Sequence, residues 1–108
     1  MKALLLTIAA AGSMFVAAQA NAVDAKAAEA LAQKSGCLAC HSIDKKVLGP
    51  AYKDVAAKYK GDKTAEAKLI AKVKAGGSGV WGPMPMPAMA AQVKEPDIKT
   101  IVQWVLSL

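Results

Sequence analysis

Both cysteines of this chain and its only histidine fall within five consecutive positions, Cys37, Cys40 and His41, in the stretch SGCLACH. Two thiols three residues apart can form a redox couple, supply half of a metal site, or carry a group covalently. Each choice commits the chain to a different fold. A thioredoxin-like dithiol needs a βαβ frame around it, and this sequence has no run of alternating β-branched residues to build one. Structural zinc needs four nitrogen or sulfur ligands; Cys37, Cys40 and His41 make three, and methionine sulfur is a poor zinc ligand.

The N-terminal region sets the compartment in which those thiols work. Lys2 supplies a positive charge, residues 3–18 are almost unbroken apolar sequence, and AQANA follows with small residues at alternating positions. This is the pattern of a secretory signal peptide, residues 1–22, cut after Ala22. The apolar stretch is shorter than the roughly 20 residues of a spanning helix. Cleavage leaves residues 23–108 as one domain, exported to the periplasm, where idle free thiols do not persist.

A domain of this size buries a small share of its surface and calls for a staple. Only Tyr52, Tyr59, Trp81 and Trp104 remain as large aromatic core material, so something else is expected to fill the centre. Without Lys2 the 14 basic residues become 13, against 8 acids, a net charge of about +5. Every one is lysine. An exported chain with no arginine for phosphate or base-edge forks is a poor nucleic-acid binder. Most of the lysines are read as solvated surface, and acidic protein partners or an anionic membrane face suit the remainder.

Four segments carry helical signals, and the fold class is all-α. VDAKAAEALAQKSG starts with Asp24 as N-cap and stops at Gly36, with Leu31 and neighbouring alanines on the buried side. AYKDVAAKYKG spaces Tyr52, Val55, Ala56 and Tyr59 on one stripe and closes at Gly61. TAEAKLIAKVKAGG sets Leu69, Ile70 and Val73 between lysines, with Thr64 or Asp62 as cap. EPDIKTIVQWVLSL puts Pro96 in the first turn, ahead of an apolar stripe of Ile98, Ile101, Val102, Val105 and Leu106. Between the last two lies GGSGVWGPMPMPAM, whose glycines and prolines predict an irregular loop. A long loop in so small a domain usually has a function.

C-x-x-C-H is the attachment signature of c-type haem, and the spacing has a mechanical reason. Thiols on one helical turn can each add to a vinyl group of the porphyrin, and the thioethers then fix the ring so that His41 falls under the iron as proximal ligand. For the sixth position the methionines are the natural source. Met84, Met86 and Met89 all sit in the glycine/proline loop, where flanking prolines limit backbone freedom. A thioether opposite imidazole raises the reduction potential. A rival reading has the methionines and both cysteines holding Cu(I) without haem. If no methionine bound the iron, an open ferric site would give weak peroxidase activity.

With these motifs in place, the sequence resembles a class I c-type cytochrome of the small bacterial cytochrome c-551/c-552 group. GCLACHSIDKKVLGPAYKDVAAKY, GVWGPMPMP and the terminal WVLS match that group in order and spacing. The resemblance implies about four helices wrapped around one haem c, bound by thioethers to Cys37 and Cys40. It implies His41 as proximal and Met86 as distal ligand. It further implies that the Pro50 carbonyl accepts the Nδ1 proton of His41 and that the Trp81 indole donates to a haem propionate. Family members often carry at the position of Met89 an amide that can bond the ligand sulfur or its surroundings and steady it, a bond that Met89 cannot donate. The function implied is single-electron transfer between respiratory redox partners, with no catalysis, by a soluble periplasmic monomer not inserted in a membrane. Lys45, Lys46 and Lys53 lie near the motif and are candidates for steering donor and acceptor proteins with acidic docking faces.

Overall fold

The computed structural model describes residues 23–108; the expected signal peptide, residues 1–22, lies outside the described residues. Its helices are α1 (Ala25–Lys34), α2 (Tyr52–Lys58), α3 (Ala65–Ala75) and α4 (Glu95–Leu106), with a 3-10 turn at Cys37–Ala39. The all-α expectation holds. Asp24 caps α1 as its sequence position predicts: Oδ1 accepts from the amides of Lys26 (3.1 Å) and Ala27 (3.2 Å), two donors that the helix cannot satisfy itself. Asp24→Ala should therefore cost about 1 kcal/mol, read as a lower urea midpoint at unchanged slope.

At α3 the choice between two caps resolves into a division of labour. Thr64 occupies the cap position without a side-chain cap bond. The Asp62 carboxylate instead accepts from the Thr64 amide (2.8 Å) and hydroxyl (2.6 Å). These bonds hold the Asp62 carboxyl below its usual range.

Helix α4 is the central element and packs against α1, α2 and α3. Against α1 the contact is made by small residues: Ala28 and Ala32 are fully buried, whereas Leu31 is only partly so. A methyl lets two backbones approach more closely than a leucine would. Trp104, Ile101 and Val105 of α4 complete this cluster with Tyr52 and Val55 of α2. A second cluster joins Ile98 and Val102 of α4 to Val93, with Ile70, Val73 and Met89 packed on it. Side chains of both clusters line one cavity of about 330 Å³.

The loop predicted to be irregular contains a short two-stranded antiparallel ribbon, β1 (Gly77–Gly79) and β2 (Gly82–Met86). Cα partners are Gly77 with Met86 and Gly79 with Gly82, with an irregularity between them. Proline is excluded from central strands for want of an N–H, yet in a lone pair of strands each has one unpaired edge where none is needed. Pro83 and Pro85 of β2 are accommodated on that basis.

Candidate haem site

Every residue expected at the haem lines the cavity, and the order in which the chain delivers them explains how. The 3-10 turn begins at Cys37 and is capped by Cys40, whose amide donates to the Cys37 carbonyl (3.2 Å). The thiols are both free and half-buried. Burial pushes the Cys37 thiol up, and a hydrogen bond from the Tyr52 hydroxyl works against that rise. The same burial, together with the Cys37 sulfur, raises the Tyr52 phenol.

His41 is held from three sides. Its Nδ1 lies 2.8 Å from the carbonyl oxygen of Pro50, which can only accept, so Nδ1 carries the proton. Tyr52 stacks on the imidazole at 4.8 Å between centroids and 20° between planes. Gly49 closes the remaining side: a Cβ there would stand 2.5 Å from Cε1 and 2.8 Å from Nδ1 of the ring. Nδ1 being committed to Pro50, the lone pair of Nε2 is left available on a ring that lines the cavity. Such a partner on the distal nitrogen fixes both tautomer and orientation of a ligating histidine. Tyr52 is in turn braced edge-on by Trp104, at 5.6 Å and 79°.

Across the cavity, β2 and the turn after it bring Met84, Met86 and Met89 to the same lining. Their burial separates them. Met84 is 57% exposed, Met86 is half-buried at the end of β2, and Met89 packs into the second cluster beside Val93. Trp81, in the turn between the strands, is 40% exposed and has the Lys58 ammonium 5.6 Å from its ring centroid, within cation–π range.

The walls between these groups are apolar, from Leu69 and Val73 of α3 and Ile98, Ile101 and Val105 of α4. Two thiols, an imidazole with a free nitrogen and a thioether thus share one apolar cavity. This donor set and lining fit a covalently attached haem. Sequence reasoning missed Tyr52 and Gly49, which orient His41. Tyr52 reads as one more apolar position of α2, although a hydroxyl in an aromatic-poor core needs a partner and so carried a signal. Of the three lysines near the motif, Lys46 lines the cavity. Lys53 instead forms an exposed ion pair with Asp44 (2.6 Å).

Residues 25–108 match the sequence profile of the Cytochrome c family. The chain is 59% identical over 78 residues to cytochrome c-551 of Allochromatium vinosum, covering 72% of this chain and 82% of that one. It is 47% identical over 103 residues to cytochrome c-551 of Pseudomonas aeruginosa, covering 95% and 93%. The crystal structure of wild-type Nitrosomonas europaea cytochrome c552 superposes with a TM-score of 0.71 at 46% identity, covering 74% of this chain and 98% of that one. The chain belongs to the cytochrome c family, as a small class I c-type cytochrome. Membership implies one covalently bound haem c, for which Cys37, Cys40 and His41 stand in the attachment spacing.

Proposed function

We propose that this chain is a soluble, monomeric, periplasmic monohaem cytochrome that shuttles single electrons between redox partners of a respiratory chain. Residues 1–22 direct export and are removed, and residues 23–108 form the functional domain. The observation that carries the reading is the convergence of His41, with Nε2 free, and Met86 on the same cavity that receives both thiols.

Haem bound there supplies an iron that cycles between two oxidation states one electron apart. Everything else is done by the chain. Cys37 and Cys40 would anchor the group, and His41 and Met86 would supply its two protein ligands to iron, so that no position is offered to oxygen or substrate. Pro50, Gly49 and Tyr52 prevent the imidazole from turning, so the site keeps one geometry through both redox states. Trp81 would donate its indole hydrogen to a propionate, and Lys58, 5.6 Å from the centroid of its ring, adds positive charge nearby.

The mouth of the cavity supports a transient docking role. Leu48 and Val80 (53% and 54% exposed) join Met84 there as uncovered apolar side chains, with Lys46 beside them. Apolar contact with a lysine beside it suits brief encounters with acidic partner faces, fast to form and weakened by salt. Among the described residues no helix is long and apolar enough to cross a membrane.

Potentiometric titration tests the proposal. A single one-electron Nernst wave is expected, with a reduced spectrum that carbon monoxide leaves unchanged. Rapid carbon monoxide binding would reveal an open axial position and contradict a carrier with both sites filled.

A further inference from the structure

We infer that Gly76 is the positioning residue for the distal ligand: the absence of a side chain there is what lets the segment carrying Met86 seat against the end of α3. The inference rests on the reading of Met86 as that ligand. Met86 ends β2, and the ribbon alone does not locate it, because β1 is three residues long and its register is irregular. Three contacts to α3 supply the missing constraint. The Met89 amide donates to the Val73 carbonyl (3.0 Å) and the Ala90 amide to the Lys74 carbonyl (3.3 Å). Both acceptors lie in the last turn of α3, where carbonyls have no partner within the helix.

The third contact is the backbone of Gly76 itself. A Cβ at this position would stand 2.7 Å from the Ala88 nitrogen and 2.8 Å from the Pro87 carbonyl carbon, and in still closer conflict with the Met86 carbonyl oxygen. All three obstacles are backbone atoms, so neither a rotamer change nor truncation of a neighbouring side chain removes them. Ordinary separation, about 3.4 Å, returns only if the segment retreats by more than half an ångström. The residue also adopts φ +68° and ψ −160°, a region that side chains disfavour. Met89 has no polar hydrogen with which to hold the Met86 sulfur, so the placement of that sulfur falls to the backbone. A retreat at Gly76 therefore moves the thioether and leaves the proximal side, built by Pro50, Gly49 and Tyr52, untouched.

The test compares haem-loaded Gly76→Ala, Gly77→Ala, Gly61→Ala and Met86→Ala with the parent chain. Gly61 has φ +79° and nothing within 4 Å of where a Cβ would stand, so it isolates the backbone penalty. Gly77 has φ +120° and would meet only the flexible Lys72 ammonium, at 3.1 Å, so it tests a side chain at the same bend without the backbone clash. Gly76→Ala is expected to keep its haem and its far-UV helix signal, to lose at least tenfold in the weak sulfur-to-ferric-iron absorption, and to bind cyanide at least tenfold faster. Gly77→Ala and Gly61→Ala should keep that absorption. A full sulfur band in Gly76→Ala would overturn the inference, as would its loss in Gly77→Ala. Collapse of the helix signal in Gly76→Ala would also overturn it, since the glycine would then serve the whole fold. Persistence of the band in Met86→Ala would mark failure of the ligand assignment itself, and the inference would fall with it.

Discussion

Met86→Ala should abolish the sulfur-to-iron absorption of the ferric protein and lower its reduction potential by on the order of a hundred millivolts or more, within the range of roughly 0.8 V over which axial ligands set haem potentials. The thioether is soft and favours the ferrous state; water or an exogenous anion in its place favours ferric iron. Met84→Ala and Met89→Ala serve as controls with opposite surroundings. Met84 is mostly exposed on β2, and its truncation should leave both spectrum and potential close to the parent. Met89 is partly buried against the cluster of Val93, Ile98 and Val102, so its truncation should lower stability by about 2 kcal/mol, the bottom of the range for a fully buried methionine, while keeping the sulfur band. Spectroelectrochemistry of the three variants, with a urea melt of each, checks all of this in one series.

The second large effect is on folding. Replacing Cys37 and Cys40 together by alanine should give a chain without covalent haem that lacks a cooperative thermal transition. The cavity of about 330 Å³ is lined by side chains packed in both apolar clusters, Leu69, Val73 and Ile101 among them. At roughly 25 cal/mol per Å² of apolar surface left in water, walls that the haem would otherwise cover forfeit several kcal/mol. Total stabilities of small domains are about 5–15 kcal/mol. A domain of this size has little to set against such a loss. Far-UV circular dichroism against temperature should show reduced helix content and a broad, sloping melt; a sharp transition like that of the loaded protein would contradict it.

Much of this site was legible in the sequence alone. Cys37, Cys40 and His41 are near neighbours along the chain, so local geometry brings them together. Asp24 and Pro96 mark helix starts through interactions within a single turn, which is why both lie where their residue types predict. Other features depend on contacts remote in sequence. Glycine and proline in residues 76–89 rule out a helix and a central strand, but a two-stranded ribbon with free edges escapes that exclusion. Leu31 is the larger apolar residue of α1, yet Ala28 and Ala32 are the buried ones, because the approach of α4 decides which face closes. Gly49 and Gly76 look like loop punctuation until the imidazole and the 86–88 backbone are seen in the space where a Cβ would stand.

The most direct measurement is the visible spectrum of the protein purified from the periplasm, first oxidised and then reduced with dithionite. Sharp reduced c-type bands are expected with, in the oxidised form, the weak absorption of sulfur bound to ferric iron. A high-spin ferric spectrum without that absorption would contradict His41/Met86 ligation, and a colourless protein would contradict haem attachment at Cys37 and Cys40 altogether.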